Sequence, residues 1–162
     1  MYYRGRFAPT LEAIRKCDTI AGADILAAIQ LVDPFDWLSL VLLFDQIPRN
    51  CYRGSSASIV FNFFDPIARH IAIAAIEKGI PNKESPIRWQ FAYRTWFYMP
   101  LMHSEELADH QLAVKQFDLM LQDIKLLVQE NTTLSQGDEY LDRARRIVRA
   151  DVDAAWALGN IN

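Results

Sequence analysis

Cysteine is nearly missing from this chain of 162 residues: only Cys17 and Cys51 occur, at no motif spacing. That excludes a disulfide framework and a thiolate zinc site. Glycine is scarce too, with 6 residues, and none belongs to a GxGxxG or GKS/T phosphate loop. No uninterrupted apolar run approaches the ~20 residues needed to span a bilayer. The opening MYYRGRFAPT lacks the apolar centre of a secretory leader. A cytoplasmic protein with reduced thiols and no membrane partner is the expectation. Positive charge is also short: the net charge is −3 and the pI near 5.6. A nucleic-acid binder usually presents a basic face, so no nucleic-acid partner is expected. The one basic cluster, Arg143, Arg145, Arg146 and Arg149, sits among Asp138, Glu139, Asp142, Asp151 and Asp153. It reads as a solvated helix face.

Strict apolar–polar alternation is absent over any sustained stretch, whereas helical spacing is everywhere. The length fits one domain, residues 1–162, able to bury about 68–70% of its unfolded surface. An amphipathic stretch opens at Pro9–Thr10, with Leu11, Ile14, Cys17 and Ile20 on one face, and Gly22 is placed to end or weaken it. Asp24 is expected to cap a short helix to Leu31. Asp33–Pro34 pairs a capping side chain with a proline suited to the first helical turn. The helix that follows, Phe35 to about Gln46, is apolar around most of its circumference and belongs in the centre. Pro48 is expected to end it. Asp65–Pro66 repeats the cap-plus-proline device, and Gly79 is placed to stop the helix it opens. A proline-rich loop over 80–86 precedes a helix, IRWQFAYRTWFYM, whose aromatic face runs from Trp89 to Tyr98 and which Pro100 breaks or kinks. A long helix from Glu105 to about Gln129 and a last one, Asp138 to Leu158, complete an all-α reading. Pro34, Pro66 and Pro100 recur at nearly the tetratricopeptide period, which suggests helical hairpins stacked as a superhelical array.

Two polar clusters interrupt this pattern. In LLFDQIPRNCYRG, Asp45 follows an apolar run at an expected helix C-terminus, where the dipole disfavours a carboxylate by about 0.3–1 kcal/mol. It needs a cation, and Arg49 and Arg53 are nearest. One reading is structural: Asp45 and the arginines tie a turn together, with Gln46 and Asn50 capping carbonyls. The other is a pocket in which the arginines hold an anion. In MHSEELADH, Ser104, Glu105 and Glu106 make a good helix start. His103, Asp109 and His110 are left over. Capping and a solvated face, acid–base work by His103 with a carboxylate, and a metal held by His103, Glu106 and His110 stay open here. Tyr98 and Trp96 lie just upstream, with polar tips that need partners if buried.

The two blocks together resemble the paired signature of the family catalogued as domain of unknown function 924, approximately D-Q-F-P-R-N-x-[FY]-R-G and then [FY]-x-P-x-x-H-S-E-x-L-x-D-Q. The matching positions are Asp45, Gln46, Pro48, Arg49, Asn50, Arg53 and Gly54, then Pro100, His103, Ser104, Glu105, Leu107 and Asp109. Ile47 stands where the family has Phe, and His110 where it has Gln. The family's N-terminal aromatic segment and its C-terminal P-H-R-N run are not found, so the chain resembles a shortened or diverged member. The resemblance implies an all-α, tetratricopeptide-like superhelix and no settled activity. It favours a polar pocket shared by the two blocks.

The expectation is therefore a small-molecule site on a helical scaffold. Arg49 and Arg53, with Gln46 and Asn50, would bind an anionic or carbonyl group. His103 would move a proton, oriented by Asp45, Glu105 or Asp109. Tyr52, Trp96 and Tyr98 would shape the cavity. Such a site suits a hydrolase, isomerase or cyclase that needs no cofactor and no metal. The competing expectation is a tetratricopeptide-like interaction module whose arginines clamp an acidic or C-terminal peptide.

Overall fold

The structure is a computed structural model that describes residues 2–17, 21–129 and 137–159. Among these residues it is entirely helical, with ten α-helices and no strand. They are α1 (Tyr2–Arg15), α2 (Gly22–Ala28), α3 (Pro34–Cys51), α4 (Asp65–Lys78), α5 (Ile80–Lys83), α6 (Ser85–Arg88), α7 (Phe91–Trp96), α8 (Met99–Met102), α9 (Leu107–Val128) and α10 (Glu139–Gly159).

Helix α3 is the axis of the main core. Asp33 caps it by accepting from the Phe35 N–H at 2.7 Å, and Asp36 accepts in turn from the Val32 and Asp33 N–H groups. This reciprocal arrangement satisfies donors that no helical carbonyl reaches. Trp37, Leu38, Val41 and Phe44 lie 1–6% exposed along its inner side. They pack with Leu11 of α1 and with Ile67, Ala68, Ile71 and Ala75 of α4. Trp89, Leu127, Leu141 and Ala144 form a second, smaller cluster. There α10 packs on α9, and Asp138 caps α10 by accepting from the Tyr140 and Leu141 N–H groups.

Several sequence expectations need correction. Helix α1 begins seven residues before Pro9 and runs through it. Cys17 is exposed, so among the described residues the inward face of α1 ends at Ile14; Ile20 lies outside the described residues. Asp24 is the third residue of α2 and accepts from the Ala21 N–H at 2.8 Å, so it braces the helix start from inside. Pro48 does not end α3; the helix continues to Cys51. A helix-interior proline costs about 3 kcal/mol, for it has no N–H and crowds the carbonyl four residues back. Here the extra turn keeps Pro48 and Cys51 in the core, and the Tyr52 N–H closes it on the Pro48 carbonyl at 2.8 Å.

Asp65 caps nothing. Phe64 already has helical angles (φ −81°, ψ −38°), because the chain arrives through a 3₁₀ turn, Gly54–Ser56, and a π-turn, Val60–Phe64. The whole run Gly54–Lys78 is long and apolar enough by composition to cross a bilayer, with a mean hydropathy of 1.4 over its most apolar stretch. Of that stretch 39% is buried, and on its inner face Ile71, Ala72 and Ala75 are fully covered by this chain's own core. Gly79 stops it as expected, at φ +81°, where glycine carries no steric penalty. The presumed loop over 80–86 folds as α5 and α6, and the aromatic helix breaks into α7 and α8. Of the three periodic prolines, Pro34 opens a helix after a side-chain cap, Pro66 follows the π-turn, and Pro100 lies in the four-residue α8.

Candidate functional site

Because α3 continues past Pro48, Asp45 and Arg49 are one helical turn apart on the same face. Asp45 is only 1% exposed. Its Oδ1 lies 2.8 Å from His103 Nδ1 and 3.4 Å from Arg49 Nη2, while Oδ2 accepts from the Gln46 amide. Arg49 Nη2 donates again, at 2.7 Å, to Oδ1 of Asp65 on α4. Arg49 Nε is buried without a hydrogen-bond partner. Helices α3 and α4 and the turn after α8 thus meet through one chain of charged groups: His103, Asp45, Arg49 and Asp65.

This chain backs a cleft of about 430 Å³. One wall is the run through the π-turn into α4, with Phe61, Asn62, Asp65 and Arg69; the other is Pro100, His103 and the Ser104–Glu106 turn. Burial pushes the Asp65 carboxyl above its ordinary value, although Arg49 opposes the shift. Arg69 grips Asp109 through both Nε and Nη2, the latter at 2.8 Å. That contact, helped by the Ser104 hydroxyl, holds Asp109 below the usual carboxylate range.

The two sequence blocks are therefore brought together, with His103 against Asp45. Of the three carboxylates expected to orient His103, Asp45 makes the contact. Glu105 stands exposed on the cleft wall, and Asp109 faces Arg69 and Ser104. Neither arginine expected to hold an anion lines the cleft. Arg49 lies behind the wall, bonded to two carboxylates. Arg53 is exposed and bonds Asn50 Oδ1 at 2.9 Å and the Arg49 carbonyl at 3.3 Å. Asn50 returns its amide to the Gln46 carbonyl at 3.0 Å, so it braces the helix end. Tyr52 stacks on Phe64 and donates to Glu12 at 2.8 Å, away from the cleft. Trp96 packs against the main core. His110 Nε2 lies 2.6 Å from the Ser104 carbonyl, and among the described residues no three His, Cys, Asp or Glu side chains converge to hold a metal.

Tyr98 belongs to a different polar centre that the sequence did not reveal. Arg94, 1% exposed, donates to Tyr98 Oη at 2.8 Å, to Asp123 Oδ2 at 2.6 Å and to Asn82 Oδ1 at 2.7 Å. Asn82 passes its amide to Gln116 at 2.7 Å, and Arg88 adds a second guanidinium to Asp123. Burial pushes Asp123 up, but the bonds from Arg88 and Arg94 outweigh it and bring the carboxyl below its ordinary value. The network ties α5, α6, α7 and α9 together just ahead of α8, which carries His103 at its end. Asp65 and Arg69 were also missed as site residues. Their four-residue spacing on one helix face was the available signal, hidden by reading Asp65 as a cap.

Comparison with curated proteins and with solved structures gives no match. A family model described as bacterial protein of unknown function (DUF924) matches residues 2–150. With the aspartate–histidine contact joining the two signature blocks, and the match spanning nearly all of the chain, the protein belongs to the DUF924 family.

Proposed function

We propose that the cleft binds a carbonyl-bearing small molecule and that His103 performs acid–base chemistry on it, as in a hydrolase, isomerase or cyclase that needs no cofactor. The observation that carries this is the 2.8 Å contact between His103 Nδ1 and the buried Asp45 at the cleft wall. In a neutral ring, an Nδ1–H donated to Asp45 leaves the lone pair on Nε2, where it can take a proton from a ligand and return it. Asp45 is a positioning residue: it is 1% exposed and does not line the cleft. Support for an anion held by Arg49 and Arg53 is lacking, since neither guanidinium lines the cavity. On the scaffold, we retain tetratricopeptide-like stacking of hairpins as a proposal; α3 packed on α4, and α9 on α10, fit it. A cytoplasmic site of action is likewise a proposal, supported by the chain's two cysteines, one exposed and one buried, which form no disulfide.

The test is a screen of activated esters, lactones and epimerisable carbonyl compounds with the purified protein, run beside a folded His103→Ala variant. A compound turned over by the wild type should lose about 10²–10⁴-fold in rate in the variant. Turnover that survives the substitution would remove His103 from the chemistry and end this reading.

A further inference from the structure

The same cleft carries information about what it accepts, and the argument rests on the acid–base reading just given. Three carboxylates line it, those of Asp65, Glu105 and Glu106, against one guanidinium, that of Arg69. The guanidinium is not available to a ligand as a net charge, because Asp109 already grips two of its nitrogens. Behind the wall the balance is no more positive: Arg49 is matched by Asp65 and Asp45, and Asp45 also backs His103.

A helix start is the ordinary reason for acids at such a place, since the N-terminus of α9 carries about half a positive charge. Asp109 sits in the first turn of α9 and meets that demand from within. The Ser104 hydroxyl accepts from the Glu106 N–H at 3.1 Å. The side chains of Glu105 and Glu106 form no hydrogen bond or ion pair among the described residues; Glu106 acts on the Arg69 guanidinium only through space, and both glutamates are exposed at the cleft. Apolar surface completes the lining: Phe61 is 59% exposed on the cleft wall, with Pro66 and Pro100 close by. An open aromatic face beside unpaired carboxylates attracts cations by two routes, the ring quadrupole and the charges themselves. A concave wall focuses that field.

We infer that the cleft selects ligands bearing a positive charge, a protonated or quaternary amine, held by Glu105 and Glu106 beside Phe61 while the reacting carbonyl meets His103. This reverses the sequence expectation of an anionic ligand.

The experiment titrates the protein with benzylammonium and with benzoate, ligands of similar size and opposite sign, and follows the backbone amide signals of the cleft walls by NMR, a readout that the His103→Ala variant keeps. Benzylammonium is expected to bind about tenfold or more tightly than benzoate, an effect of the size one nearby charge exerts in a partly solvated site. The preference should shrink in a Glu105→Gln/Glu106→Gln variant and in high salt, which screens exposed charge. Benzoate binding as tightly or more tightly, no measurable cation binding, or a preference unaltered by the double variant would overturn the inference. His103→Ala separates the two proposals. Cation binding that persists in it, with no amine ever turned over, leaves the ligand assignment standing without the chemistry. His103-dependent turnover of compounds carrying no cation, with benzoate preferred, leaves the chemistry standing without the ligand assignment.

Discussion

Replacing Asp123 by Asn keeps the shape of the buried network and deletes its one negative charge. Arg94 would remain 1% exposed, holding only the Tyr98 hydroxyl and the Asn82 amide oxygen as acceptors beyond the new amide. Arg88, about one-third exposed, can turn to water and contributes less to the loss. Breaking a buried pair by removing one partner costs about 3–5 kcal/mol, a large part of the roughly 5–15 kcal/mol that holds a domain folded. For a chain of this size that lowers Tm by roughly 6–20 °C. Urea melts at pH 7 measure it directly. A companion variant, Asp123→Leu with Arg94→Met, removes both charges and their desolvation. It should be more stable than Asp123→Asn, though not fully restored, because Asn82 and Tyr98 lose their donor. The pH dependence supplies a second check. The native carboxyl lies below its ordinary value of 3.8, so its stabilisation is complete above that value and is lost as pH falls through the native one. Asp123→Asn should flatten that part of the acid limb. A loss below about 1 kcal/mol, the range of exposed pairs, would refute the claim that Arg94 and Asp123 are a desolvated pair.

Three further outcomes are expected. Gly22→Ala should destabilise by about 1–3 kcal/mol, despite alanine's better helix propensity, because a Cβ there would stand 2.6 Å from His70 Cβ; equal or higher stability in thermal melts would contradict the close packing of α2 on α4. The Tyr52 phenol is pushed up to about 12 by burial and by its bond to Glu12. The unfolded phenol ionises near 10, so this tyrosine's contribution to stability should decline as pH rises between those values; burial raises the Tyr98 phenol as well, so absorbance at high pH should show more than one late-titrating tyrosine, of which the Tyr52 share alone moves earlier in Glu12→Gln. Asp45→Asn should release His103 from the Nδ1–H tautomer, read from the ¹⁵N shifts of the neutral imidazole; an unaltered tautomer would mean that Asp45 does not orient the ring.

Legibility in the sequence followed the range of the interaction. The Asp33 cap needs only its own neighbours, and it was readable. Asp65–Pro66 carries the same letters, but a cap also requires a non-helical residue at its position, and the π-turn delivers the chain to Asp65 already helical. Pro48 shows the same limit: its local cost was visible, whereas the core contacts that offset it come from other helices. The pairing of Asp45 with His103, 58 residues apart, was reachable only because both blocks match one family signature. Nothing local couples Arg94 to Asp123 or Arg69 to Asp109, since any exposed helix face could have hosted those charges.

The π-turn at Val60–Phe64 has an effect beyond its five residues. A helix advances about 100° per residue, so one surplus residue in a single coil resets the azimuth of every side chain beyond it. Pro66, with no N–H to offer that coil, hinders its rewinding into the regular spacing. The facing of Asp65 and Arg69 toward the cleft is thus set by a local winding fault. Deleting one residue between 60 and 64 would leave the composition of the site almost intact and rotate its charges out of register with His103.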